Sequence, residues 1–195
     1  VTQLETPAER VAPLPFDALV RLSLVVVVAL VVQTTLLDGL RLHGAHPNAL
    51  LLIPVAVGLE SGPEHGASVG FVVGLVADLL LPTPFGLSAL VDTLLGAAAG
   101  ALRPGGGRPG VWLASPLLGA GGAAGALLRG VLLSLLGVPR VLTAYLPATL
   151  VAVTLGGLVL GPLVTWAVRW ALPGGTRPSG GVGPGGTAAP RRTRP

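Results

Sequence analysis

The sequence predicts an all-α integral membrane protein, a compact bundle of about six transmembrane helices. Three observations predict it. Of 195 residues, 51% are apolar and only 10% are charged, whereas soluble domains carry about 25% charged residues. Apolar segments recur from Leu19 to Leu172 with no stretch between them long enough for a soluble domain. Clusters of Pro, Gly and charge separate those segments and set their number.

Residues 1–18 mix Glu5, Glu9, Arg10 and Asp17 with Pro7, Pro13 and Pro15, too polar and too broken for a span, and read as a flexible cytoplasmic lead-in. Leu19 to Leu37 is nearly continuous in apolar residues and has no small-residue cleavage site after a short core, which makes it a retained helix rather than a signal peptide. The later spans are Asn48 to Leu59, Gly66 to Leu81, Leu87 to Leu102, Val111 to Leu136 and Leu146 to Leu172. The second is short: its rise of about 18 Å falls well below a hydrocarbon core of roughly 30 Å. It is therefore expected to be re-entrant or buried among its neighbours. Residues 19–172 form one membrane domain, and 173–195, rich in Pro, Gly and Arg, form a cytoplasmic tail too poor in apolar side chains to fold.

The basic residues bear on topology. With six spans and the N-terminus inside, Arg10, Arg21, Arg103, Arg108, Arg169, Arg177, Arg191, Arg192 and Arg194 lie on the cytoplasmic side and only Arg41 and Arg140 outside, nine against two. Five spans with the N-terminus outside give eight against three, so six is preferred. The spread of these residues over segment ends and tail also argues against a nucleic-acid surface. Arg191, Arg192 and Arg194 are read either as anionic-lipid contacts or as a solvated tail that enforces topology.

Function classes can be excluded. With no cysteine there are no disulfides, thiolate metal sites or cysteine nucleophiles. No phosphate loop, zinc helix, nucleophile elbow or paired-carboxylate pattern is present, so no catalytic, cofactor or metal site is expected. His43 and His46 read as surface histidines, and Glu60, Glu64 and His65 around Pro63 as a solvated turn with no basic residue nearby.

Two residue sets remain. Helices in lipid pack through small residues that let backbones approach, and GxxxG units recur at Gly66, Gly70 and Gly74, at Gly96 and Gly100, at Gly121 and Gly125, and at Gly157 and Gly161. They predict a tight intramolecular bundle. Gln33, Asp78, Asp92 and Arg129 are polar groups inside apolar spans, where a charge costs about 2.5 to 3.5 kcal/mol and usually finds a partner. Counted along their helices, all four lie about 6 to 10 Å below the outer surface. They are expected to meet in one polar layer, serving either as a proton or ligand site or as a structural pair that orients the third, fourth and fifth helices.

Residues Pro47 to Leu102, and above all GFVVGLVADLLLPTPFGLSAL from Gly70 to Leu90, resemble the rod shape-determining protein MreD family. A glycine-spaced helix ends there in an Asp, a leucine-rich cap, a proline turn and then Gly-Leu. A first helix ending in Gln33, Thr34 and Thr35 fits too, while the Pro, Gly and Arg tail departs from a compact ending. The resemblance implies a non-enzymatic scaffold in the bacterial plasma membrane, with partners MreC, the RodA glycosyltransferase and its penicillin-binding transpeptidase, serving cell shape and lateral peptidoglycan synthesis. It also implies the six-helix fold of the substrate-binding subunits of energy-coupling-factor transporters. That fold makes a vitamin carrier the competing reading, with the polar layer lining its pocket; the few aromatic residues available to clamp a ring speak against it.

Overall fold

A computed structural model describes residues 14–33, 35, 49–80, 84–103, 108–137 and 146–172. The polar lead-in up to residue 13, His43 and His46, and the tail from Pro173 lie outside the described residues. Within them the chain is all-helical: α1 (Phe16–Val32), α2 (Ala49–Ser61), α3 (Pro63–Leu80), α4 (Leu87–Ala101), α5 (Val111–Leu135) and α6 (Leu146–Ala171). Two of these, Val111–Leu135 and Thr149–Ala171, are long and apolar enough to cross a membrane.

Helix α2 occupies the centre. Its 13 residues rise roughly 20 Å, and Leu50, Leu51, Leu52, Ile53, Val55, Ala56, Val57 and Leu59 are all at most 3% exposed. A helix that is apolar on every side must be covered on every side, and α2 packs against each of the other five. Of the two expectations for this short segment, burial among neighbours describes it.

The remaining helices alternate in direction around α2. Glycine sets how close they come. A Cβ on Gly66 or Gly96 would fall on the backbone of the other, one on Gly70 on the Asp92 carbonyl, one on Gly74 on the Ala89 backbone, and one on Gly100 on Pro63. α3 and α4 thus cross antiparallel with backbones in direct contact. The same device joins α5 to α6, where Gly157 faces the Gly119 backbone and Gly161 faces Ser115. Gly121 and Gly125 instead receive side chains, Val55 for the former and Leu51 and Leu95 for the latter. Gly58, which forms a further GxxxG unit with Gly62, also lies against Gly96 and Gly100.

The alternation creates two ends. At one, α1, α3 and α5 begin and α2, α4 and α6 finish; at the other the order reverses. Outward faces are strongly apolar: Leu24, Val28, Phe71, Leu90, Val131, Val159 and Leu163 are all about half exposed or more, while Glu60, Asp78 and Asp92 are at most 5% exposed.

Candidate functional site

The polar residues predicted to share one layer divide into separate arrangements. Gln33, at the C-cap of α1, accepts a hydrogen bond on Oε1 from the Leu50 amide at 3.2 Å. The first amides of a helix have no partner inside it, so Gln33 serves the start of α2 and not the charges. That corrects its expected place in the layer.

Asp78 does a similar task for α4. Its carboxylate accepts hydrogen bonds from the amides of Gly86 at 2.9 Å, Ser88 at 3.1 Å and Ala89 at 3.2 Å. Gly86, the N-cap of α4, has φ 90 and carries no side chain to cap the helix. The preceding helix therefore delivers the capping acid across the turn, where it also meets the positive end of the α4 dipole. This explains the motif in which an Asp, a turn and Gly-Leu follow one another. Asp78→Ala should destabilise the protein by about 2 kcal/mol, because three buried or half-buried amides lose a charged acceptor, and Asp78→Asn by roughly half of that. Thermal unfolding in mild detergent measures both; equal stability of all three proteins would exclude the capping role.

Asp92 lies one turn further along α4, fully buried, with Arg129 of α5 facing it at 3.7 Å. This distance allows an ion pair but exceeds a hydrogen bond. Among the described residues neither Asp92 oxygen receives a hydrogen bond, and Arg129 Nε and Nη2 make none. The pair connects α4 to α5, whereas Asp78 connects α3 to α4. The layer is thus two adjacent links, one a carboxylate on backbone amides and one a loose charge pair.

The other end of the bundle holds the arrangement that the sequence reading missed. Glu60 was expected in a solvated turn without basic neighbours. Instead, Glu60 is in the last turn of α2, 1% exposed, and only Gly62 separates α2 from α3. Its Oε1 accepts from Arg169 Nε at 2.8 Å, and its Oε2 lies 3.2 Å from Arg108 Nε. Arg103 donates to the Glu60 carbonyl at 2.9 Å, Arg108 to the Leu172 carbonyl at 3.1 Å, and Arg169 to the Pro109 carbonyl. Carbonyls at helix C-termini lack intrahelical donors and sit at the negative end of the dipole, so arginine fits them twice over. One buried acid thereby ties the ends of α2 and α6 to the connection before α5. His65, also expected to be solvated, is 8% exposed; Glu64 is exposed, as expected. A signal for the clamp existed in the number of arginines near segment ends, but topology accounted for them first.

A cavity of about 480 Å³ opens between α1 and α3, walled by Leu19, Leu22 and Val26 on one side and His65, Val69 and Val72 on the other. Gln33, Asp78, Asp92 and Arg129 are not among its lining residues. Among the described residues no group of three His, Cys, Asp or Glu side chains could hold a metal ion.

The part of the chain that carries Asp78, Asp92 and Glu60 is also the part that is similar to known proteins. Residues 16–103, from the start of α1 to Arg103, match the family model described as rod shape-determining protein MreD. No curated protein and no solved structure matches the chain. The matched segment, a little less than half of the chain, includes the central α2, the glycine crossing of α3 and α4, the Asp78 cap and the acid of the Glu60 clamp; over that segment the chain is similar to the MreD family of rod shape-determining proteins.

Proposed function

We propose that this protein is a non-enzymatic scaffold of cell-wall elongation, crossing the bacterial plasma membrane six times with both termini in the cytoplasm. The family match carries the reading. The membrane placement is supported by the distribution of side chains, with large apolar residues such as Val159, Leu163 and Phe71 outward and Glu60, Asp78 and Asp92 inward. In water such an outer surface would drive aggregation; in lipid it is the stable arrangement. The end that holds Arg103, Arg108 and Arg169 is on this reading cytoplasmic.

The mechanism is positional. A bundle fixed by backbone contacts at glycine and by buried links at both ends presents rigid outer faces, on which MreC, the RodA glycosyltransferase and its penicillin-binding transpeptidase are held in a fixed arrangement for lateral peptidoglycan synthesis. The six helices then adopt the fold of the substrate-binding subunits of energy-coupling-factor transporters and use it for assembly. The test is purification of the tagged protein from its host membrane in mild detergent, with an unrelated six-helix protein as control. MreC and the elongation synthases should be enriched. Recovery with an ATPase module and a tightly bound small molecule, without wall enzymes, would overturn the scaffold in favour of a carrier.

A further inference from the structure

The clamp around Glu60 carries more positive charge than it neutralises. Arg108 and Arg169 share the carboxylate of this one acid, which leaves one formal positive charge in excess over the three groups, while Arg103 binds the Glu60 carbonyl; Asp17 and Glu64 lie at the same end but are exposed in the first turns of α1 and α3. A guanidinium has five N–H donors. Arg108 directs Nε to Glu60 and Nη2 to Leu172, and Arg169 directs Nε to Glu60 and Nη2 to Pro109. Each therefore retains donors that these contacts do not use, on side chains 34% and 29% exposed. Because both are held by the same carboxylate, they are fixed close enough for one tetrahedral anion to meet both.

The surroundings of this charge are aromatic. All three tryptophans of the chain lie on the two helices that flank it, Trp112 in the first turn of α5 and Trp166 and Trp170 near the end of α6. They are 93%, 66% and 47% exposed, and Arg21 stacks 5.5 Å from the centre of the Trp170 ring. Exposed indoles concentrated at one level of a membrane protein mark the headgroup region. Basic pockets between helices at that level take lipid phosphates.

From these observations we infer that Arg108 and Arg169, flanked by Trp112, Trp166 and Trp170, form a binding site for the phosphate of an anionic phospholipid. The site rests on the membrane reading proposed above. Glu60 is its positioning residue: it holds the two guanidinium groups side by side without cancelling their charge. The indoles lie beside the glycerol and upper acyl chain. The excess positive charge favours a lipid with net negative charge over a zwitterionic one that carries the same phosphate.

The tryptophans are a built-in reporter. The full-length protein is reconstituted in phosphatidylcholine vesicles containing a minor fraction of chain-brominated phosphatidylglycerol, and separately the same fraction of chain-brominated phosphatidylcholine, and indole emission is recorded. Brominated phosphatidylglycerol is expected to quench with an apparent affinity about fivefold higher, and Arg108→Gln should remove the preference. Equal quenching by the two lipids overturns the site, including when Arg108→Gln does not fold, since that comparison needs only the natural protein. If neither lipid quenches, the membrane placement fails with it, so the two failures are distinguishable. Inorganic phosphate at constant ionic strength separates the sources: a preference that persists supports a lipid headgroup, and one that phosphate abolishes overturns it in favour of free phosphate.

Discussion

Replacement of Glu60 by Gln is expected to destabilise the protein by about 3 kcal/mol, the largest effect of any single polar substitution. An exposed ion pair contributes at most about 1 kcal/mol, but this acid is 1% exposed and is shared by two arginines. Removing one member of a buried pair costs about 3 to 5 kcal/mol because the other charge remains without its partner. The arginines retain partial exposure, 34% and 29%, so water relieves part of that cost and the lower end applies. Glu60→Gln keeps the shape and hydrogen-bonding capacity of the side chain, which isolates the charge. Thermal unfolding in mild detergent, with Arg169→Gln and the double variant completing a cycle, should give a coupling of about 1 to 3 kcal/mol. Additive losses would mean that Glu60 and Arg169 act independently and that the clamp is not a unit.

Gly96→Ala is expected to cost about 3 kcal/mol, although it adds a single methyl group. The new Cβ would fall on the Gly66 carbonyl, and backbone cannot rotate aside as a side chain can, so α3 and α4 must separate. Overpacking a tight core costs about 1 to 3 kcal/mol, and the absence of any flexible neighbour puts this position at the upper end. Alanine is favoured over glycine inside a helix by about 1 kcal/mol, which is too small to offset the clash. Gly125→Ala gives the contrast. There the atoms nearest the Cβ would be the terminal methyl groups of Leu51 and Leu95, which can shift, so propensity and crowding should nearly cancel. Gly110→Ala, with φ −56 and nothing near its Cβ, should change stability by less than about 0.5 kcal/mol. Melting temperatures that rank Gly96→Ala as no worse than Gly110→Ala would show that the backbone contact is not what holds the pair.

The contrast between glycines shows where sequence reading ends. A GxxxG spacing identifies a smooth helix face, but the same spacing occurs at Gly96 and Gly100, which meet backbone, and at Gly121 and Gly125, which meet side chains. Gly58 and Gly62 share the spacing too, yet a Cβ on Gly58 would meet backbone and one on Gly62 nothing within 4 Å. What lies opposite is a property of the neighbouring helix, and spacing within one helix carries no information about it.

The sequence by itself determined the helical class, the six helices of the described residues, the limits of the later ones to within a few residues, and the likeness to the MreD family over the α3 to α4 hairpin. These depend on composition, on runs of apolar residues and on local punctuation by Pro and Gly, all of which act over a few residues. Asp78 is at the border of that range: the amides it caps are 8 to 11 residues away, so a short motif records the contact without stating its purpose. Tertiary structure alone decided the role of Glu60. Arg103 is 43 residues from it and Arg169 is 109, and only the antiparallel return of α4 and the parallel placement of α6 beside α2 bring them to its carboxylate and carbonyl. A charge at a helix end can serve topology and an ion pair with the same side chain, so a reading of the sequence by topology alone passed over the ion pair that the folded chain reveals.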